Sequence, residues 1–498
     1  MTRQFFLAGA ACLALVASSP ALSGELSAAN QNKVLANVQT YAPRMSEVAL
    51  KIWQMPELGY LETKTTALLQ DELKKAGFKI EAGVAGMPTS FIARAGTNDG
   101  PVIAILAEMD SLPGLSQAAT PERKPIPGVI SGHACGHNLF GSGSVAAAIA
   151  VKKWLEETGT RGQLRVYGTP AEEGGGGKDY MVQAGLFKDV DITLYWHPGD
   201  SNTAAQDKNL ANVSAKFRFH GQAAHAAAAP DRGRSALDGV EVMNVMVNYL
   251  REHVPQETRI HYIVTNGGAA PNIVPEFAES YYVVRHPDPR VVASVFERVK
   301  KAAEGAALGT GTKVDFEMIG GDYSILPNDV LGRVMDANLR RVGAPVWTAE
   351  ETAFAEKLRT TLAGDNLAPV SSAHEIQKYR VNGQKYSSTD SGDVSWVTPL
   401  ATLNTATWVP GTAAHSWQAT ATGGMGIGIK AAVVAAKTLA LTAAQLYQSP
   451  ETIAAAKAEF EKSRGPNFVY KSLAGSRKPP LDYRKTSNGV AAADAAPG

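Results

Sequence analysis

The stretch Pro101-Val-Ile-Ala-Ile-Leu-Ala107 decides the fold of this chain. A continuous apolar run of this kind is typical of a strand that is buried on both faces of a parallel sheet. The run leads directly into Glu108-Met-Asp110, so two carboxylates follow the end of the strand. Ligands of open α/β sheets bind outside the carboxyl ends of the strands, so a functional site is expected at this edge.

Predicted strands and helices alternate on both sides of this run. The further strands are at residues 78–82, 89–95, 163–168, 192–196 and 403–409. The helices are at residues 31–52, 63–76, 142–155, 178–184, 329–341, 349–362 and 426–447. This alternation predicts an α/β catalytic domain with a mostly parallel sheet.

The pattern changes in residues 213–318, where the predicted elements follow one another in the order β-α-β-β-α-β. That order is the split unit of a ferredoxin-like module, and the segment has the length of a small domain. The sequence therefore predicts an inserted domain at residues 213–320, between two parts of the catalytic domain at residues 24–212 and 321–464. Residues 465–498 are rich in Gly, Pro, Ser, Lys and Ala, a composition typical of a flexible tail.

The N-terminus has the pattern of a secretory signal peptide at residues 1–23. Arg3 precedes an apolar run at residues 5–16, and Ala21-Leu22-Ser23 offers small residues for cleavage. We therefore expect a periplasmic or secreted protein, with a retained anchor as the alternative. No later segment holds about eighteen uninterrupted apolar residues, so no membrane span is expected in the mature chain.

Charge and cysteine content narrow the class of protein further. The 498 residues carry a net charge of +1 and no basic stripe, which argues against nucleic-acid binding. Of the two cysteines, Cys12 lies in the predicted signal peptide, so the mature chain would hold only Cys135 and no intramolecular disulfide. An unpaired cysteine is unusual in an oxidising compartment, and the histidines on either side of Cys135 suggest that it binds a metal.

Cys135 lies in Ser131-Gly-His-Ala-Cys-Gly-His-Asn138, between two histidines. Thiolate and neutral imidazole are good ligands for Zn²⁺ and acceptable ones for Mn²⁺, so Cys135 and His137 are candidate metal ligands. His133 is the less certain of the two imidazoles, because its side chain could point elsewhere. A buried, inert cysteine is the alternative.

The second polar stretch is Pro170-Ala-Glu-Glu-Gly-Gly-Gly-Gly177. Adjacent side chains on a turn diverge, so one of Glu172 and Glu173 can bind a metal while the other faces an attacking water as a general base. The glycines let the backbone approach a ligand closely. A solvated acidic turn is the alternative for this pair alone. A phosphate-binding loop is excluded, because neither a Lys-Ser/Thr pair nor a G-x-G-x-x-G pattern follows.

Further candidate ligands follow other strands at the same expected edge. The strand at 192–196 leads into His197-Pro198, and the strand at 403–409 leads towards His415-Ser416. Unrelated surface residues would not repeatedly fall at the same ends of parallel strands. The convergence therefore predicts one site that combines thiol, imidazole and carboxylate groups.

These stretches resemble the M20 metallopeptidase and amidohydrolase family, most of all its subfamily D. The resemblance extends over roughly residues 30–460. The matching segments are Glu108-Met-Asp110-Ser-Leu-Pro, His133-Ala-Cys-Gly-His137, Pro170-Ala-Glu-Glu-Gly, Trp196-His197-Pro, residues 221–230, Pro271-Asn-Ile-Val, Thr389-Asp-Ser-Gly-Asp393 and His415-Ser-Trp.

The resemblance implies a site for two divalent metal ions, Mn²⁺ or Zn²⁺, with Glu172 as the general base and proton shuttle. The implied metal ligands are Cys135, His137, Glu173, His197 and His415.

The remaining implied positions surround this metal site. Glu108 and Asp110 would orient the ligands, as residues behind a metal centre commonly do. His225, on the inserted domain, would reach the substrate carbonyl or its oxyanion, either in the same chain or across a dimer interface. Asn272 and Arg285 would bind substrate, and the guanidinium of Arg285 suits an α-carboxylate. The inserted domain would serve as a lid and dimerisation domain.

The expected activity is therefore metal-dependent hydrolysis of an amide between an acyl or aroyl group and an amino acid, such as p-aminobenzoyl-glutamate. A dipeptidase or a broad N-acyl-amino-acid amidohydrolase with the same site is the first alternative. A binding protein that closes on a small ligand without chemistry, and a zinc- or redox-sensing structural protein built on Cys135, are alternatives from other classes. A homodimer is expected, and the resemblance also allows a related second subunit.

Overall fold

The structure is a computed structural model that describes residues 24–485 of the chain. The predicted signal peptide at residues 1–23 and the end of the predicted tail, residues 486–498, lie outside the described residues. The elements up to the second domain are α1 (Ala28–Gln54), α2 (Thr63–Lys75), β1 (Lys79–Ala82), β2 (Phe91–Gly96), β3 (Val102–Glu108), β4 (Leu112–Pro113), β5 (Ser131–Gly132), α3 (His137–Thr158), β6 (Gln163–Thr169), α4 (Gly177–Gln183), β7 (Ile192–Gly199) and β8 (Gln206–Lys208).

The second domain and the return to the first contain the remaining elements. The second domain consists of β9 (Ala211–His220), α5 (Ala236–Leu250), β10 (Arg259–Asn266), β11 (Phe277–His286), α6 (Pro289–Thr310) and β12 (Lys313–Asp322). The last part consists of α7 (Asp329–Val342), α8 (Ala349–Arg359), β13 (Val381–Gln384), α9 (Ser391–Ser395), β14 (Leu400–Ala406), α10 (Trp417–Gly423), α11 (Gly426–Tyr447) and α12 (Pro450–Arg464).

The central sheet has six strands in the order β1-β2-β6-β3-β7-β14. Strands β6, β3, β7 and β14 run parallel, whereas β2 pairs antiparallel with β6 and β1 pairs antiparallel with β2. Residues 103–107 of β3 have no exposed surface, as expected for a strand covered on both faces. The prediction of a mostly parallel α/β sheet is confirmed, and the carboxyl ends of its four parallel strands share one edge.

Helix α3 packs closely against this sheet and begins at the predicted metal-binding stretch. A Cβ on Gly143 would lie 2.9 Å from Cζ2 of Trp196 in β7, so a larger residue there would push the helix off the sheet. The helix starts at His137 rather than at the predicted residue 142. Gly136, with a φ of 76°, lets the chain turn directly into the helix. His137 therefore lies in the first turn of a helix that is anchored in the core.

The second domain has a four-stranded antiparallel sheet in the order β10-β11-β9-β12. Helices α5 and α6 pack on it around an apolar core that includes Phe217, Phe219, Val240 and Val299. Its elements follow the order β-α-β-β-α-β, and they span residues 211–322 where the sequence predicts 213–320.

Helix α11 is the one helix in residues 24–485 that is long and apolar enough to cross a membrane by length and composition. In the structure, 78% of its most apolar window is buried inside the protein. Leu439 and Leu441 have no exposed surface and belong to the main core cluster. This helix thus forms part of the core of the first domain.

The sequence predicts a flexible tail from residue 465, but residues 465–485 are packed on the rest of the protein. Tyr470 Oη lies 2.6 Å from Asp179 Oδ1 and 2.7 Å from Asp393 Oδ1. Arg484 is only 3% exposed. The segment is polar in composition, but its residues Tyr470, Tyr483 and Arg484 form hydrogen bonds with residues that lie far away in the sequence.

Candidate active site

Cys135 and His137 lie at the start of α3, beside the carboxyl ends of β3 and β7. The Cys135 Sγ is 3.4 Å from Nε2 of His197, which is contributed by β7. His137 Nδ1 is 3.0 Å from Oδ1 of Asp110, the residue that closely follows β3. This contact fixes the imidazole ring so that Nε2 of His137 faces the other candidate ligands.

Asp110 also holds the acidic turn in place. Its Oδ2 accepts a hydrogen bond of 2.9 Å from the backbone N–H of Glu173. The Glu173 carboxylate in turn lies 3.2 Å, Oε1 to Nε2, from His415. One buried carboxylate therefore contacts a candidate ligand from α3 and another from the turn after β6.

The candidate ligand atoms form three overlapping clusters, in each of which all atoms lie within 4.8 Å of one another. The clusters are Cys135 with His137 and His197, Cys135 with Glu173 and His415, and Glu108 with His137 and Glu172. All five residues expected to bind metal are thus brought together from separate stretches of the chain. Cys135 and His137 each belong to two clusters, so the three clusters form one continuous centre.

The buried polar atoms of this centre fit divalent cations. Among the described residues, Glu108 Oε2, His137 Nε2 and Glu173 Oε1 are buried and have no hydrogen-bond partner. Buried polar atoms are ordinarily paired, and each of these three atoms belongs to a residue of the ligand clusters, where a cation could serve as its partner. Thiolate, imidazole and carboxylate ligands suit Zn²⁺, and the imidazole and carboxylate groups also suit Mn²⁺.

The electrostatics of the centre lead to the same interpretation. Burial raises the pKa of the Cys135 thiol well above its ordinary value, and the nearby Glu173 carboxylate raises it further. Burial likewise raises the pKa of Glu172 well above its ordinary value, with added repulsion from Glu108 and Glu173. A cation among these groups would favour the thiolate of Cys135 and the carboxylate of Glu172, and would offset the burial and repulsion that oppose those charged forms.

Glu108 lies deeper in the centre than the sequence suggests. Its Oε2 is 3.1 Å from Nε2 of His137 and 4.0 Å from Nε2 of His197. Burial disfavours its charged form, but the Lys178 ammonium and the neighbouring histidines hold its pKa at about 2. Glu108 therefore stands among the ligand atoms as a carboxylate, whereas Asp110 acts from behind them.

Sequence reasoning missed Lys178 and Asp390. Lys178 has no exposed surface, and its Nζ lies 2.7 Å from Glu108 Oε1 and 2.6 Å from Asp390 Oδ1. The backbone N–H of Lys178 also donates to Asp390 Oδ2 at 2.9 Å. A signal for Asp390 exists, because it lies within Thr389-Asp-Ser-Gly-Asp393, one of the stretches that carry the family resemblance.

The structure does not bring every expected site residue to this centre. His225 and Asn272 are on the second domain and belong to none of the ligand clusters. Nδ1 of His225 accepts from the backbone N–H groups of Ala227 and Ala228 at 3.2 and 3.1 Å. Arg285 is buried, and its Nη1 donates to Ser388 Oγ at 3.3 Å. His133 is also buried, but it lies outside the three ligand clusters.

A cavity of about 440 Å³ opens onto the ligand clusters. Its lining includes Glu172, His197 and His415 of the first domain and Asn212 and Asp322 of the second domain. Its volume lies within the range of small-molecule sites, about 300–1,000 Å³. The centre thus faces a cavity that both domains line.

The comparisons with known proteins agree with this geometry. The sequence profile of peptidase family M20/M25/M40 matches residues 104–384, more than half of the chain. One subunit of the p-aminobenzoyl-glutamate hydrolase of Escherichia coli (strain K12) is 41% identical over 430 residues, which cover 81% of this chain and 89% of that protein. The Xaa-Arg dipeptidase of Mus musculus is 32% identical over 345 residues, covering 66% of this chain and 76% of that protein.

A solved structure shares the fold. The dinuclear metal binding peptidase of the M20 family from Bacillus subtilis superposes with a TM-score of 0.57 at 18% identity, over 82% of this chain and 99% of that one. Family profile, relatives and ligand clusters together lead to one conclusion. This chain is a metal-dependent amide hydrolase that belongs to peptidase family M20/M25/M40.

Proposed function

We propose that the chain hydrolyses the amide bond between an acyl or aroyl group and an amino acid, with p-aminobenzoyl-glutamate as the first substrate to test. The observation that carries the proposal is the position of Glu172, whose Oε2 lies 3.9 Å from Nε2 of His137 at the edge of the ligand clusters. The substrate is suggested by the 41% identity to a relative named for hydrolysis of p-aminobenzoyl-glutamate.

The proposed cofactor is a pair of divalent metal ions, Mn²⁺ or Zn²⁺. The residues that would hold them are Cys135, His137, Glu173, His197 and His415. When bound, such ions polarise a carbonyl group and lower the pKa of water. Glu108, which lies within the same clusters, is available as a further oxygen ligand.

The proposed general base is Glu172. It lines the cavity and its side chain is 10% exposed, so it can meet both water and substrate. In the proposed reaction Glu172 removes a proton from water, and the water oxygen bonds to the amide carbon. The carbon–nitrogen bond then breaks, and Glu172 returns the proton to the departing amine nitrogen. One amide and one water thus become a carboxylic acid and an amine.

The second domain is proposed to act as a ferredoxin-like lid that binds the amino-acid part of the substrate. Arg285 and Asn272 are the proposed substrate-binding residues. The Arg285 guanidinium lies behind Ser388, which lines the cavity, and it is suited to an α-carboxylate.

The same domain is proposed to form a homodimer. Helix α5 exposes Val242, Val245, Met246 and Tyr249, which share one face because they are spaced three or four residues apart. Strand β10, at the edge of its sheet, also exposes Ile263 and Val264. A partner chain that covers this surface could bring its own copy of His225 to a neighbouring cavity. Light scattering on the purified chain tests the assembly.

A related second subunit is the alternative partner, because the 41% identical relative is named as one subunit of its hydrolase. The proposed location is periplasmic or extracellular, since residues 1–23 have the pattern of a signal peptide. N-terminal sequencing of the protein from fractionated cells tests the location: a chain that retains residues 1–23 in the cytoplasmic fraction would contradict it.

The decisive experiment measures hydrolysis over a panel of N-acyl amino acids and dipeptides that includes p-aminobenzoyl-glutamate. Activity should be lost with a chelator and return with Mn²⁺ or Zn²⁺. Turnover of other members without p-aminobenzoyl-glutamate would favour a dipeptidase or a broad amidohydrolase, for which the 32% identity to an Xaa-Arg dipeptidase is the specific observation. Metal binding without any turnover would favour a non-catalytic binding protein.

A further inference from the structure

The end of the described chain, residues 470–485, crosses the protein surface and reaches the back of the candidate active site. We call these residues the C-terminal strap. Tyr483 Oη and Arg484 Nη2 both donate to the backbone carbonyl of Glu173, at 3.0 and 2.7 Å. Glu173 is a candidate metal ligand on the turn that also bears Glu172. The strap therefore donates two hydrogen bonds to the turn that carries both the proposed general base and a candidate ligand.

The turn is one that needs external support. Ala171 has a φ of 55°, which is disfavoured for a residue with a side chain, and the glycines that follow have little conformational preference of their own. The front of the turn is held by Asp110, which accepts from the N–H of Glu173. At the back, Glu62 Oε1 accepts from the N–H of Ala171 at 2.8 Å.

Tyr483 completes the support at the back of the turn. Its ring packs edge-on against Tyr60 at 5.7 Å between ring centroids, and Tyr60 Oη donates to the carbonyl of Gly175 at 2.9 Å. The approach depends on Gly59, since a Cβ at that position would lie 2.2 Å from Tyr483 Oη. The strap and the loop around Tyr60 therefore hold the turn together.

Arg484 is buried behind this turn. Arg484 is 3% exposed, and among the described residues its Nε and Nη1 have no hydrogen-bond partner. The guanidinium also lies over the Tyr483 ring, 4.8 Å from its centroid, but burying a cation with two unpaired nitrogens is unfavourable by itself. Its Nη2 nevertheless reaches the backbone carbonyl of Glu173 at 2.7 Å, so the guanidinium is held directly behind the turn.

We propose that Tyr483 and Arg484 are positioning residues of the metal centre, which hold the Glu172–Glu173 turn in the conformation that binds metal and accepts the proton of water. The inference rests on the proposed hydrolase function, and it assigns to the C-terminal strap a part in that reaction. Residues behind metal ligands typically affect metal affinity or activity by about 10–100-fold, which sets the expected size of the effect.

The test compares two adjacent cations of the strap in the full chain. Arg484→Met should weaken Zn²⁺ binding, measured by competition with a chelating dye, by about 10-fold or more, and should lower kcat similarly with KM within about twofold. Lys485→Met is the matched control, because Lys485 is the next residue of the strap and its side chain is exposed. It should leave both quantities unchanged. Arg484→Lys should restore part of the affinity, since an ammonium can still donate to the carbonyl.

Tyr483→Phe provides a milder second variant, because it removes the hydroxyl and retains the ring against Tyr60. It should weaken Zn²⁺ binding about threefold at an unchanged unfolding temperature. If Arg484→Met does not fold, the Zn²⁺ affinity of Tyr483→Phe alone tests whether the strap positions the metal centre. Wild-type Zn²⁺ affinity in Arg484→Met and Tyr483→Phe would overturn the proposal, as would an equal loss in Lys485→Met. Zn²⁺ binding requires no substrate, so failure to hydrolyse p-aminobenzoyl-glutamate would refute the proposed substrate and leave this test intact.

Discussion

Lys178 Nζ lies 2.7 Å from Oε1 of Glu108, and neither side chain has any exposed surface. The second oxygen of Glu108 faces the metal-ligand cluster, 3.1 Å from Nε2 of His137. Burial alone would lower the pKa of Lys178, but the carboxylates of Asp390 and Glu108 more than offset it and keep the ammonium charged. Lys178 therefore keeps Glu108 ionised at the centre of a site that carries several other negative groups.

Replacing Lys178 by Met should destabilise the protein strongly. The substitution would leave the buried carboxylates of Glu108 and Asp390 without their counter-charge, and breaking a buried ion pair typically costs about 3–5 kcal/mol. The free energy of unfolding from urea denaturation should fall by about that amount. Lys152→Met is the matched control, because Lys152 pairs with Glu156, which is 64% exposed. It should cost less than about 1 kcal/mol. A loss of equal size in both variants would contradict the role assigned to Lys178.

Replacing Glu172 by Gln should abolish most of the activity without removing metal. A general base contributes about 10²–10⁴-fold to the rate, and an amide of the same shape cannot take the proton from water. We expect kcat to fall by about 10³-fold, with metal content by mass spectrometry close to that of the wild type. Glu173→Gln should instead lose metal, because Glu173 is the proposed ligand of this pair and shares a cluster with two other proposed ligands, Cys135 and His415. If Glu172→Gln lost its metal and kept its turnover per bound ion, the two roles would be reversed.

Replacing Asp110 by Asn should weaken metal binding by about 10–100-fold. The carboxylate accepts from Nδ1 of His137 and from the backbone N–H of Glu173. An amide can replace only one of these acceptors and turns an N–H towards the other. Isothermal titration with Mn²⁺ and Zn²⁺ measures the effect. Glu72→Gln is a suitable control, because Glu72 is a similarly buried acidic residue that lies outside the ligand clusters. Equal affinities in wild type and Asp110→Asn would remove Asp110 from the site.

The strand ends, and the stretches that carry the candidate ligands, could be predicted from the sequence because both depend on local signals. The apolar run at residues 101–107 identifies a buried strand. His197 directly follows the predicted strand at 192–196, and Cys135 and His137 lie close together in one short stretch. The five predicted ligands come together because parallel strands end at one edge. The mostly parallel sheet follows from the same alternation of helices and strands.

The residues that the sequence did not reveal have partners that only the tertiary structure supplies. Lys178 meets Asp390 across 212 positions of the chain, and Arg484 meets Glu173 across 311. A lysine after a glycine-rich turn and an arginine in a polar tail both look like exposed charges, since these side chains are rarely buried. The predicted tail was wrong for residues 465–485 for the same reason: its composition is polar, but its aromatic and cationic groups pack against the site.

A pair far from the site provides the last prediction, on the pH dependence of stability. Arg44 Nη2 lies 2.7 Å from Oε1 of Glu72, whose side chain is 4% exposed. Hydrogen bonds from Arg44 lower the pKa of Glu72 from its ordinary 4.5 to about 2. Because the folded-state pKa is depressed, this carboxylate contributes stability that is fully present above about pH 4.5 and is lost as the pH falls towards 2.

In Glu72→Gln, the free energy of unfolding should therefore fall less steeply between about pH 4.5 and 2 than in the wild type. The measurement is the free energy of unfolding from urea denaturation across that range, for the wild type and the variant. Glu47→Gln is the matched control, because Glu47 pairs with the same arginine but is 67% exposed, where ion pairs contribute little. Its curve should follow that of the wild type. If the free energy of unfolding of Glu72→Gln fell with pH as steeply as that of the wild type, the pair of Arg44 and Glu72 would not contribute to the pH dependence. The acid sensitivity would then have to arise from the clustered carboxylates of the active site.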